Sequence, residues 1–467
     1  MIFNSLIFVG FALVFYSWWP FAERLSLNGR WLTIVVGSFI FYGWWDWHYV
    51  ILLIGTGMVD FVAGIGMASH PRWKRELLIM SVFTNLATLG FFKYSNFAAT
   101  NLNVLASALG IGSRIPVFSL ILPLGISFYT FQSLSYTIDI YRGQLRATRN
   151  PLHFFAAISL FPHLVAGPIM RASTLLPQLL EDRRPTKSQL WGGVRLIVHG
   201  YFKKMVIADN LAPIVNDAFG GRLASLSGAD WWIVAVMFSF QIYCDFSGYS
   251  DIARGLAKAL GYEFTQNFNH PYLATSLREF WTRWHISLST WFRDYLYIPL
   301  GGSRNGELRS HVNMWITMLL SGLWHGAAWT FVIWGSIHAF FLSVERATKW
   351  PEHLQKITYG KYLALAFVMF QVVVAWVFFR ATDTRQAYEI LWKMFHWNDL
   401  TISLSRTGII YLGLALAREI FCWREMSLRN WVHGRMRVIT EMVWYALIIT
   451  GCIFLRGPGA TFIYFQF

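Results

Sequence analysis

His325 is the residue in this chain whose type and setting point most directly to chemistry. It lies in Ser321-Gly322-Leu323-Trp324-His325-Gly326-Ala327, just after the apolar run Met314–Leu320. An imidazole at membrane depth is costly unless it is paired or functional. Gly322 and Gly326 bracket it, and glycine allows close approach of another helix or of a substrate. Imidazole can take a proton from a hydroxyl near neutral pH, which fits a general base. The alternative is a structural histidine bonded to a neighbouring carbonyl. Metal binding fits less well. His338 would stand about 20 Å away along a continuous helix, and no His-Glu-x-x-His or Cys/His spacing occurs.

A second concentration of chemical groups runs from Gln241 to Gly302, where Trp, Arg, His and Asp are denser than lipid accepts. Arg278, Arg283 and Arg293 alternate with Trp281, Trp284 and Trp291. On a helix, Trp281, Trp284, His285 and Leu288 share one face, which can point inward while Arg283 points elsewhere. The alternative is an interfacial collar, with half-buried rings and snorkelling guanidinium groups. Asp245 and Asp251 lie six apart, too far to share a helical face, so each is expected to pair with an arginine or to cap a helix. Asp60 is expected to be buried and paired. His163, in Phe161-Pro162-His163-Leu164-Val165-Ala166-Gly167-Pro168, marks a re-entrant or broken segment that either lines a cavity or is a structural break.

The elements that must position these residues follow from composition. Of 467 residues, 55% are hydrophobic and only 13% charged, against roughly 25% charged in soluble domains. That excludes a cytosolic globular enzyme, a disordered chain and a disulfide-stapled secreted domain, and leaves a polytopic membrane protein. The net charge of +15 suits lysines and arginines on a cytoplasmic face, against anionic headgroups; no nucleic-acid module is visible. Cys244, Cys422 and Cys452 match no zinc or redox spacing and read as buried thiols.

Spans are expected at Ile2–Trp19 (uncleaved), Trp31–Trp45, Tyr49–Ala68, Leu77–Phe92 and Phe118–Ile138, each near the roughly 20 residues that cross the hydrocarbon core. Later candidates are Phe154–Met170, Leu190–Ile207, Trp231–Tyr243, Trp315–Val344 with an interruption, Leu363–Phe379, Ile409–Leu416 and Met442–Leu455. No Lys or Arg precedes Arg24, and Arg72, Lys74 and Arg75 follow a basic-free stretch. The N-terminus is therefore expected outside and these loops inside. Phe97–Gly112 is then expected to be an interfacial helix on the outer side. No repeat, low-complexity tract or soluble domain is visible, so residues 1–467 read as one integral membrane domain with residues 241–335 as its core.

Five stretches resemble the membrane-bound O-acyltransferase (MBOAT) family: Leu122–Gly143, Phe161–Arg171, Asp245–Leu256, Glu279–Gly302 and Gly322–Gly335. Within it they are similar to the bacterial branch that O-acetylates exported polysaccharides, as is the closing run Phe462–Phe467. The resemblance implies an all-α membrane fold of about eleven spans plus re-entrant and interfacial helices around a central tunnel. It implies that His325 matches the family's invariant histidine and His285 its second polar position. Trp324, Trp284, Asp245, His163 and Arg283 are then expected along the tunnel, with no metal. The implied activity is acetyl transfer at a bacterial inner membrane, from cytoplasmic acetyl-CoA toward an exported glycan, directly or through a periplasmic acetyltransferase partner. A polysaccharide synthase or secretion complex and membrane lipids are the further implied partners. The region after Trp397 is shorter than in alginate-type members, so the resemblance leaves alginate and cellulose both open as the glycan, with a lean toward cellulose. Other cell-envelope acceptors (peptidoglycan, teichoic acid), a transporter and a silent scaffold are the alternatives. A transporter would show inverted repeats, which the sequence lacks.

Overall fold

The computed structural model describes residues 1–112, 114–181, 183–221, 225–396, 401–428 and 435–465, with backbone alone at 422–428, 435–438 and 465. Trp397, the last two residues of the closing run and the Cys422 side chain thus lie outside the described residues. Within them every regular element is helical. Three helices are long and apolar enough to cross a membrane: His48–Ser69, Pro71–Ala108 and Gly360–Arg380. Large apolar side chains stand bare, Phe83 on the second of these at 71% exposure and Leu6 on the shorter apolar helix Leu6–Ala22 at 89%, as lipid rather than water permits.

The chain forms two compact units, Met1–Val194 with Ala253–Thr265, and Arg195–Ile252 with Gln266–Phe467. In the first, Asp60 is buried and accepts hydrogen bonds from Ser81 Oγ at 2.6 Å and Asn85 Nδ2 at 2.9 Å. Ser81 also donates to Thr137 at 3.0 Å, so one carboxylate ties three helices together. Its partners are hydroxyl and amide groups.

Several boundaries differ from the sequence expectation. Leu77–Phe92 and Phe97–Gly112 are not separate helices: a π-helical turn over Gly90–Tyr94 carries one into the next, and the joined helix ends at Ala108. A π turn has no periodic signature in sequence. The fifth helix begins at Ile126 rather than Phe118. Pro123 disfavours helix before it, and Gly125, at φ +74°, sits against the Leu164 carbonyl where a Cβ would collide. Phe154–Met170 is broken, as its prolines require, into Pro151–Ser159 and Phe161–Leu164. Trp231–Tyr243 belongs to a longer helix, Gly228–Ala259, and Ile409–Leu416 to Arg406–Leu428. The interruption within Trp315–Val344 falls at Gly326–Ala328. Cys244 is buried and Cys452 half-buried, both as free thiols.

Candidate active site

One helix crossing in the second unit is held close by two glycines. Gly322, on Glu307–His325, lies against the Phe331 carbonyl, and Gly335, on Trp329–Thr348, against the Met318 carbonyl. Neither position has room for a methyl group, so the two backbones touch, as small residues permit in membranes. His325 is the last residue of its helix, and the chain turns extended at Gly326. The helix end therefore delivers a buried imidazole into the interior.

His285 arrives by another route, and here the expected helical face is wrong. Leu277–Arg283 ends before it, Ile286–Phe292 begins after it, and His285 itself is left-handed at φ +41°. Such a backbone costs about 1–3 kcal/mol for a non-glycine residue, and the surroundings hold it in place. Ile286 N donates to the Asn267 carbonyl at 2.9 Å, and Asn269 N to the Arg283 carbonyl at 2.9 Å. The short preceding helix is anchored at its N-terminus. Ser276 caps Glu279 N at 3.0 Å, and the buried Glu345 accepts from Leu277 N at 2.6 Å and Arg278 N at 3.2 Å. A carboxylate there meets both orphan amides and the positive helix end.

Asn267 also sets the tautomer of His285. Its Oδ1 accepts from Ser287 N at 3.2 Å and Ser287 Oγ at 2.9 Å, and faces His285 Nδ1 at 3.1 Å. Against an acceptor, Nδ1 carries the proton, and Nε2 keeps the lone pair. The neutral ring presents a proton acceptor at Nε2.

Aromatic contacts join the two histidines. Trp324 lies 5.0 Å from His325 and 6.0 Å from His285, ring centre to ring centre. Phe246 lies edge-on to His285 at 4.6 Å and reaches Tyr464 at 4.5 Å. Tyr464 in turn stands 5.6 Å from His325. Five rings thus close a circuit: His285, Trp324, His325, Tyr464, Phe246. Trp334 and Phe379 back His325 at 5.1 and 5.2 Å. His338 leans on the same Trp334 at 4.8 Å, because the break at Gly326 brings it far closer to His325 than a continuous helix would.

The other expected site residues fall elsewhere. Trp284 is buried one layer behind His285, against Phe268 at 5.1 Å and Trp376 at 5.0 Å. Arg283 turns to Glu279 on its own helix at 2.6 Å. His163 belongs to the first unit, with Gln132 at 2.8 Å and Phe264 at 5.1 Å. Asp245 pairs with Lys204 at 2.8 Å rather than with an arginine, and Asp251 pairs with Lys203. Gly200 and Gly248 meet backbone to backbone, each on the other's carbonyl, which brings both lysines to the Asp helix. Sequence reasoning missed Asn267, Glu345, Lys204, Phe246 and Tyr464. Of these, Tyr464 carried a signal in the closing run, and Phe246 in the stretch Asp245–Leu256.

The sequence pattern of the membrane-bound O-acyltransferase family matches residues 142–379. "Probable alginate O-acetylase AlgI" of Azotobacter vinelandii is 40% identical over 88% of this chain and 77% of its own length. The protein of the same name in Pseudomonas aeruginosa is 38% identical over 87% and 73%. "Peptidoglycan O-acetyltransferase" of Helicobacter pylori is 35% identical over 86% and 81%.

Proposed function

The chain belongs to the membrane-bound O-acyltransferase family, and from that premise we propose that it O-acetylates an exported polysaccharide, with His325 as general base. The observation that carries the reading is the circuit of rings that places His325 and His285 on either side of Trp324. The acetyl donor is acetyl-CoA from the cytoplasm, reached through a tunnel, with basic side chains of the inner face drawing in its phosphates. His325 takes the proton of the acceptor hydroxyl as its oxygen attacks the thioester carbonyl. Trp324, whose indole nitrogen only donates, stabilises the oxyanion. His285, with its lone pair on Nε2, accepts a hydrogen bond from a second, neighbouring hydroxyl of the acceptor and so orients the attacking one. The C–S bond then breaks, and the thiolate takes the proton back from His325. The products are an acetyl ester and free CoA thiol.

The acceptor is the glycan or a periplasmic acetyltransferase that carries the group onward beside a polysaccharide synthase or secretion complex. The names of the relatives favour alginate over the cellulose expected from chain length; the Helicobacter relative favours peptidoglycan as a second acceptor. The protein sits in the inner membrane with its N-terminus in the periplasm. Cytoplasm-only reporters fused after Arg30 and after Asp46 test that orientation: the first should be active and the second silent, and the reverse pattern would overturn it. For the activity, purified protein in nanodiscs is given acetyl-CoA with oligomers of alginate, cellulose or peptidoglycan, and thiol release is followed. One glycan should stimulate release in the native protein and not in His325→Ala. Equal release by both proteins would remove the histidine from the mechanism.

A further inference from the structure

Lys204 lies in a π-helical stretch, Phe202–Ala208, and its side chain is 2% exposed. A lone ammonium so buried would be costly. It forms ion pairs with Asp209 Oδ1 at 2.9 Å and Asp245 Oδ1 at 2.8 Å and donates to the Ala460 carbonyl at 2.9 Å. Both carboxylates then reach the same distant segment. Asp209 Oδ1 accepts from Ala460 N at 3.2 Å, and Asp245 Oδ2 from Ile463 N at 2.8 Å. Each of the three buried charges spends one bond on the backbone of residues 460–463. Gly457 adds a bond to the Met205 carbonyl at 2.8 Å and packs so closely on Asp209 that a Cβ would collide.

The side chains on that segment face the reaction circuit. Phe462 packs on Tyr249 at 4.7 Å and Phe246 at 5.7 Å, and Tyr464 closes the gap between Phe246 and His325. We propose that Lys204, Asp209 and Asp245 form a clamp that grips the main chain of a C-terminal strap, Gly457–Tyr464, and so sets the wall of the site that Phe462 and Tyr464 supply. Lys204 and Asp245 are positioning residues. Asp245, expected from sequence beside the substrate, acts through the strap. Because the grip is on backbone atoms, it fixes where the strap lies whatever side chains the strap carries. The clamp deepens the acyltransfer reading and rests on it only for its effect on rate.

The test separates strap position from chemistry. Cys244, Cys422 and Cys452 are replaced by Ala, and Ile463→Cys is introduced at a position now 1% exposed. Labelling by N-ethylmaleimide is followed in nanodiscs alongside acetyl transfer. With the clamp intact the thiol should be protected. Lys204→Met should speed labelling at least tenfold and lower kcat at least tenfold with KM for acetyl-CoA unchanged, and Lys204→Arg should recover part of both. Asp245→Asn, equal in shape, gives the same two readouts if Lys204→Met does not reach the membrane. Phe462→Ala should lower kcat while the thiol stays protected. Unchanged labelling in folded Lys204→Met or Asp245→Asn overturns the clamp, and so does faster labelling with full activity. If instead His325→Ala keeps its activity, the acyltransfer mechanism fails while the labelling result still stands.

Discussion

Asp60 and Asp245 are both buried carboxylates on apolar helices, yet the two compact units use them differently. Asp60 is met by hydroxyl and amide donors only 21 and 25 residues away, and it knots neighbouring helices. Asp245 is met by a buried lysine and by a backbone amide 218 residues further on. The first arrangement is local and electrically modest. The second gathers three charges, and it is complete only when a distant segment is docked. Breaking a buried charge cluster costs more than breaking a hydrogen-bonded knot, about 3–5 kcal/mol against about 1–3. The knot therefore reads as packing and the clamp as placement of a part of the site.

Five variants break or sharpen this contrast. His325→Ala sets the floor: acetyl transfer per mole of purified enzyme should fall roughly 100- to 10,000-fold with normal protein in the membrane. Near-normal glycan acetate would end the base assignment. His285→Ala should lose on the order of 100-fold without loss of abundance. The double variant should be no worse than His325→Ala alone, since groups serving one step are non-additive. A clearly larger loss in the double would mean two independent roles. Asp60→Ala should lower stability by about 1–3 kcal/mol, read as a lower unfolding temperature in nanodiscs, while kcat stays within about twofold because Ser81, Asn85 and Thr137, which complete its knot, are not part of the ring circuit. A large kcat effect there would erase the distinction between knot and clamp. The exposed pair Arg385–Glu389, one helical turn apart at 2.8 Å, is the control: Arg385→Ala should change neither quantity measurably.

His325 stood out in the sequence as a candidate because an imidazole between glycines after an apolar run has few bland explanations, whereas His285 became one only through the family resemblance. The breaks at Pro162 and Gly326 were legible for the same kind of local reason. What holds His285 was not. Asn267 reaches it from 18 residues away, and Glu345 anchors the preceding helix at Leu277 from 68 residues away; such pairings leave no periodic trace. The continuous face drawn through Trp281, Trp284, His285 and Leu288 failed because a left-handed residue interrupts it, and histidine carries no mark of that conformation. Lys203 and Lys204 fell within the expected span Leu190–Ile207 and drew no reading of their own. Only the Gly200–Gly248 crossing, invisible in one sequence, turns them toward Asp251 and Asp245.

The clamp also has a place in time. Ribosomes deliver Lys204 first, Asp245 later, and the Ala460 carbonyl 256 residues after the lysine. At roughly 5–20 residues per second that interval is on the order of 10–50 s. Throughout it an ammonium in an apolar helix lacks its last partner, and lipid charges heavily for that. The segment carrying Lys203 and Lys204 must settle into the bilayer late, or wait near the headgroups for the aspartates. Biogenesis, more than equilibrium stability, is then where a defect in this cluster would first be felt, as chains cleared by proteases before their strap is made.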